Sequence, residues 1–219
     1  MRPTHFHRCL WLALLVAVSP SQANDSPPID RAIAAYATGD LATALEGFER
    51  LSRQGEPLAD YNLAMMHLRA ETPKPDVNEA LRLLQRAARK NLVVAQLSLG
   101  QLYEQGLLGK PDQVLAVRWF TLAATAGNVD AQLALATAHF LGRGVAKDMG
   151  KAARWYREAA KGGDVGAQYI LASMYEHGRG VGRDLRLARY WYDAAARNGD
   201  EAAPAKLKEL DARLAETPT

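Results

Sequence analysis

Cysteine is almost missing from this chain: Cys9 is its only one in 219 residues, so no disulfide framework can hold it. Long apolar runs are missing too. The longest, LWLALLVAV from Leu10 to Val18, is less than half of the roughly 20 residues that a membrane-spanning helix needs. Neither sign of charge dominates, with 27 Lys and Arg against 24 Asp and Glu. That balance gives no reason to expect nucleic acid or an anionic membrane as partner.

The first 23 residues differ in kind from the rest. Arg2 and Arg8 precede the apolar run, and SPSQA with small residues Ser21 and Ala23 follows it. This is the layout of a secretory signal peptide cleaved after Ala23, and it predicts a periplasmic or secreted protein. Cys9 opens the apolar run and leaves with it, so it cannot become a lipid-bearing N-terminus. The mature chain is then free of cysteine and has to be held together by packing.

What is present in abundance is repetition. WFTLAATAG from Trp119, WYREAAKGG from Trp155 and WYDAAARNG from Trp191 recur at a step of 36 residues. Ala95-Gln96, Ala131-Gln132 and Ala167-Gln168 keep the same step. A weaker copy starts near Ala59, with Leu83-Leu84 for the aromatic pair and Asn91 for the glycine. Half a copy precedes it through Asp40, Ala44, Phe48 and Gly55. A fixed period of this length marks an array of stacked units.

Each unit reads as two helices. Ala131, Leu135, Ala136 and His139 fall at helical spacing, as do Ala167, Leu171, Ala172 and Tyr175. The second helix opens at an aspartate in every unit, Asp40, Asp76, Asp112, Asp148 and Asp184, which reads as an N-cap. Glu79, three places after Asp76, has capping-box spacing. Gly127, Gly163 and Gly199 end the second helix where a left-handed residue is needed. Ala152, Ala159 and Ala160 allow close helix approach, and Trp155 with Tyr156 fills the space to the neighbouring helices.

The run AQLALATAHFLGRGVAKDMGKAARWYREAAKGGDVGAQ and its next copy closely resemble the Sel-1-like repeat, a relative of the tetratricopeptide repeat. The resemblance covers Leu58 to about Ala203. HLRAETPKPD and EQGLLGKPD depart from it by lacking the Gly-x-Gly-Val loop. It implies an all-α fold, a right-handed α-solenoid of 36-residue two-helix repeats. The expected division is a signal peptide (1–23), a tetratricopeptide-like hairpin (24–57), four repeats (58–93, 94–129, 130–165, 166–202) and a C-terminal capping helix and tail (203–219). Ten or eleven helices are expected, the first from about Ile29 to Thr38 and the last from about Ala203 to Ala215.

The resemblance also implies an adaptor that binds another protein, in a regulatory, polysaccharide, motility or secretion assembly of the cell envelope. Members described as binding or hydrolysing β-lactams carry a cysteine pair in each repeat, and the mature chain has none. No catalytic constellation is found. His67 and His139 share one column, two units apart, where Tyr103 and Tyr175 stand, so they cannot share a metal. Glu176 and His177 fall short of the three protein ligands that zinc requires. The GRG loops at Gly142 and Gly178 lack the Lys-Ser/Thr of a phosphate loop. The chain is read as a non-enzyme with no cofactor and no metal.

In stacked hairpins the first helices line the inner wall. Four columns there vary from unit to unit: Met65, Gln101, Thr137, Ser173; Leu68, Glu104, Phe140, Glu176; Arg69, Gln105, Leu141, His177; and Asn62, Ser98, Ala134, Ile170. The candidate partner-binding residues are Met65, Leu68, Gln101, Glu104, Thr137, Phe140, Ser173, Glu176 and His177. The switch between apolar and acidic along the second column suits a partner with alternating apolar and basic features. The uniformly apolar column Tyr61, Leu97, Leu133, Tyr169 is assigned to packing between repeats. Arg86, Arg118, Arg154, Arg157 and Arg186, with Glu158, are expected on a solvated outer face. A carbohydrate or peptidoglycan-fragment binder is the alternative, and would need exposed aromatic rings in the groove; a cell-wall hydrolase is the further alternative, for which no residues are found.

Overall fold

The computed structural model describes residues 27–107 and 109–215. The expected signal segment, with Cys9, lies outside the described residues, as do the last four residues. Eleven helices follow one another: α1 (Pro28–Ala37), α2 (Leu41–Arg53), α3 (Pro57–Leu68), α4 (Val77–Arg89), α5 (Val93–Gln105), α6 (Gln113–Thr125), α7 (Val129–Leu141), α8 (Met149–Lys161), α9 (Val165–His177), α10 (Leu185–Arg197) and α11 (Ala203–Ala215). There is no strand among the described residues. Every extensive helix–helix contact joins chain neighbours, the one-dimensional connectivity of a solenoid.

The second helices α2, α4, α6, α8 and α10 begin where the aspartates put them. Asp40 accepts from the Thr43 N–H, Asp112 from Leu115, Asp148 from Lys151, and Asp184 from Arg186 and Leu187. Asp76 accepts from Asn78 and Glu79. The capping box expected at Asp76 forms only this half. Glu79 turns instead to Arg82, at 2.5 and 2.8 Å, and the free Asp76 N–H donates to Nδ1 of His67 at 3.2 Å. A bidentate pair with a guanidinium outcompetes one neutral backbone donor. Gly127, Gly163 and Gly199 take φ of 90°, 94° and 96° just past their helices, as the left-handed terminus requires.

Three buried clusters run in series along the array, and half-buried Trp155 packs against both the second and the third. The aromatic pair divides its labour. Phe120, Tyr156 and Tyr192 are buried, while Trp119, Trp155 and Trp191 are half-buried and packed against these clusters. Ala152, Ala159 and Ala160 are fully enclosed. Gln96, Gln132 and Gln168 are buried at the seams, each donating its Nε2 to the carbonyl of Ala88, Ala124 or Ala160 at 3.1–3.3 Å. They tie each unit to the end of the one before. The closing helix α11 buries Ala203 and Leu210 and turns Asp211 and Lys208 outward.

Candidate functional site

The expected inner wall corresponds to the first helices of the units, α3, α5, α7 and α9. Their buried stripe fixes the rotation of each helix and leaves one row of positions outward. On α5 that row is Val94, Ser98, Gln101 and Gln105, and on α7 it is Asp130, Ala134, Thr137 and Leu141. Leu141 is 47% exposed and Val94 39%, so the wall presents apolar side chains to solvent. The Val94–Asp130 column was not among the expected ones. Its signal is the same variation seen one turn further along each helix.

Among the expected residues, Gln101 and His177 are exposed, and Met65, Thr137 and Ser173 are half-buried. The Thr137 hydroxyl lies 3.2 Å from that of Tyr156, and the ring of His177 is 2.9 Å from the Ser173 carbonyl. The Leu68–Glu176 column sits on the shoulder of the wall, turned toward the packing. Leu68 packs against the first buried cluster, and Glu104 is half-buried. The Phe140 ring meets that of Tyr156 edge-on with centroids 6.3 Å apart.

Glu176 is a correction. Expected on the open wall, it is 3% exposed, accepting from the Tyr192 hydroxyl at 3.0 Å and from Arg213 of α11 at 2.6 Å. Burial pushes its carboxyl up. The hydrogen bonds from Tyr192 and Arg213, with the charge of Lys206, outweigh that and hold it below the usual range. The same arrangement raises the Tyr192 phenol, through burial first and the carboxylate second. The capping helix thus covers the last inner-wall acid.

Two of the expected outer arginines are likewise not simply solvated. Arg86 pairs with fully buried Asp60 and donates to the Ser52 hydroxyl at 2.6 Å. Arg157 donates to the Tyr175 hydroxyl at 2.7 Å. In the histidine column, His67 accepts the Asp76 N–H, whereas Nδ1 of His139 is buried without a partner. Burial and then Lys151 push the His139 imidazole below its usual range. Among the described residues no three His, Cys, Asp or Glu side chains gather as a metal set, and no helix is long and apolar enough to cross a membrane.

The electrostatics divide the molecule into two walls. Helices α3, α5, α7 and α9 contain no lysine or arginine, and their acids are Asp60, Glu104, Asp130 and Glu176. Asp60 and Glu176 are neutralised internally, which leaves half-buried Glu104 and exposed Asp130 outside any ion pair among the described residues. Helices α2, α4, α6, α8 and α10 carry thirteen Lys and Arg against five Asp and Glu.

The Sel1 repeat model matches the chain four times in succession, at residues 57–92, 93–128, 129–164 and 165–200. A protective antigen present in uropathogenic Escherichia coli strains, displaying an SLR fold, is 32% identical and superposes with a TM-score of 0.77 over 87% of this chain. This chain spans 42% of that antigen's length. A Sel1 repeat protein from Oxalobacter formigenes is 31% identical at a TM-score of 0.70, covering 84% of this chain and 78% of its own. A sel1 repeat protein from Klebsiella pneumoniae subsp. pneumoniae, 19% identical at a TM-score of 0.51 over 88% of this chain and 97% of its own, shares the fold. No curated protein matches the sequence.

Proposed function

The chain belongs to the Sel1 repeat family, and we propose that it is a non-enzymatic adaptor that holds a second protein along its inner wall. Sel1 repeat proteins are in general protein-interaction scaffolds. The observation that carries the reading is the composition of the inner wall. Its four helices contain no lysine or arginine, expose Val94 and Leu141, and keep Glu104 and Asp130 outside any ion pair among the described residues. Such a wall fits a segment whose apolar side chains anchor and whose Lys or Arg orient it.

The proposed setting is the cell envelope, after export. It rests on Arg2 and Arg8 ahead of the Leu10–Val18 run and on the small residues Ser21 and Ala23. N-terminal sequencing of the protein recovered from the periplasm or medium tests it, and an intact Met1 in the cytoplasm refutes it. The glycan alternative finds little on this wall, because every Phe and Tyr ring on α3, α5, α7 and α9 is at least half-buried.

The partner is found by crosslinking in intact cells and then tested with purified variants. Leu141→Arg leaves the thermal midpoint unchanged and weakens the partner at least tenfold, because it removes an anchor and places a like charge against the incoming cation. Arg118→Glu, on the opposite wall, leaves the affinity unchanged. The reverse pattern overturns the reading.

A further inference from the structure

The outer wall carries a second feature that protein capture on the inner wall does not use. One column of the second helices reads Arg82, Arg118, Arg154, Tyr190, each one repeat from the next. Arg82 is committed to Glu79. Arg118 and Arg154 are exposed, and their guanidinium groups make no hydrogen bond or ion pair among the described residues; nor does that of exposed Arg186, one turn before Tyr190. Tyr190 is 59% exposed and stands edge-on to Trp191, centroids 5.0 Å apart. Leu122, 48% exposed, and Leu187 flank the column. The acids nearby are already engaged, Glu158 by Lys161 at 2.9 Å and Asp193 by Arg197.

We infer that this column is a binding ridge for an extended anionic glycan, a polysaccharide chain bearing carboxylates. Guanidinium groups take carboxylates through paired N–H donors and stay charged at any working pH. Arg118 on α6 and Arg154 on α8 stand one repeat apart on helices that make no extensive contact with each other, so they present cations at separate steps, which suits a chain molecule better than a small anion. Tyr190, braced by Trp191, offers an open ring with apolar faces and a polar tip. Ring stacking against the C–H face of a sugar uses the first, and that is what selects a glycan over an acidic polypeptide.

The test is direct binding of the whole mature protein to polygalacturonate, with neutral dextran, poly-glutamate and phosphatidylglycerol vesicles as comparison probes. Polygalacturonate binds, and raising salt from 50 to 500 mM weakens it as exposed charges are screened. Dextran does not bind, and poly-glutamate and the vesicles bind at least tenfold more weakly. Arg118→Gln with Arg154→Gln reduces binding at least tenfold, and Tyr190→Ala reduces it about fivefold. Both keep the parent's helical spectrum, since all three side chains are exposed. Leu141→Arg on the inner wall leaves it unchanged, which separates this ridge from the protein-binding wall. Equal binding of poly-glutamate with no effect of Tyr190→Ala overturns the inference in favour of an acidic protein. Preference for the vesicles, or no binding to polygalacturonate, overturns it as well.

Discussion

The first Sel1 unit, residues 57–92, and the last, 165–200, occupy the same frame and solve it differently at four positions in register. Asp60 stands where Gln168 does, His67 where Tyr175 does, Ala70 where Gly178 does, and Thr72 where Gly180 does. The last unit is the economical version. Gln168 bridges to Ala160 and to Asn198, Gly178 ends α9 in a left-handed turn, and Gly180 lets the loop lie against the start of α8. The first unit replaces these devices with others. Asp60 needs Arg86, His67 caps the Asp76 N–H in place of the loop, and Ala70 is forced to φ 58°. A repeat specifies positions and spacing, and it leaves each unit free to satisfy its own polar groups.

The comparison breaks most visibly at the loop. A Cβ at Gly180 would overlap the backbone carbonyl of Met149, and φ there is +71°. Gly180→Ala combines a left-handed penalty with backbone overlap and is expected to destabilise by about 3 kcal/mol. Thr72→Gly, at the matching place in the first unit, removes only a small side chain whose hydroxyl lies 3.4 Å from His67. It is expected to cost about 1 kcal/mol. Urea denaturation of both variants measures the gap, and equal losses would mean that the two loops are packed alike.

The seam polar groups come next. Asp60→Ala leaves the Arg86 guanidinium without its carboxylate and is expected to cost about 2–3 kcal/mol. That is less than for a fully buried pair, because Arg86 is one-third exposed and can turn to solvent. Gln168→Ala removes hydrogen bonds between neutral groups and is expected to cost about 1 kcal/mol. Gln168 matching or exceeding Asp60 in the same titration would show that the ion pair adds nothing beyond its hydrogen bonds.

These contrasts also mark what could be read from the residues alone. The period, the Asp caps and the left-handed glycines are local signals, each decided within a few residues, and all five caps form as spaced. The Asp60–Arg86 pair spans 26 residues and the Glu176–Arg213 pair 37. No local rule joins such partners. The column pattern therefore groups Glu176 with the varied inner-wall residues, although its rotation on α9 and the arrival of α11 enclose it. The buried Gln column was visible as a recurrence, but its purpose is to reach a carbonyl eight residues back, across a helix boundary. Charge was misleading in sum. A nearly neutral chain conceals first helices without lysine or arginine and second helices rich in them, and only the assignment of residues to alternate helices separates the two.

The histidine column gives a test by pH. The His139 imidazole is held below its usual value by burial first and by Lys151 second, so the folded protein resists a proton that the unfolded chain accepts. Its contribution to stability is full above the unfolded value of about 6.5. It is lost as pH falls from there through the lower folded value. His139→Tyr, adopting the residue found at 103 and 175, is expected to flatten the decline in denaturation midpoint between pH 7 and 5. An unchanged decline would place the titrating group elsewhere.

The smallest expected effect has the opposite sign. Ala70 occupies the position held by Gly106, Gly142 and Gly178, and it is one of two non-glycine residues with positive φ among those described. The other, Asn91, is of a type that tolerates the left-handed region, and alanine is not. Ala70 is exposed and its side chain anchors nothing, so its methyl group contributes strain without packing. Glycine relieves a left-handed cost of roughly 1–2 kcal/mol and returns part of it as extra freedom in the unfolded chain. Ala70→Gly is therefore expected to stabilise the protein by about 0.5–1 kcal/mol, a rise in thermal midpoint of about 1–4 °C for a chain of this size. Gly178→Ala, the reverse exchange in the last unit, should lower it by a similar amount or more, because a Cβ there would press on Lys147's counterpart in register, Arg183, at 3.3 Å. A loss of stability in Ala70→Gly would mean that the first loop draws its shape from the alanine itself, and that the two units differ in backbone preference as well as in side chains.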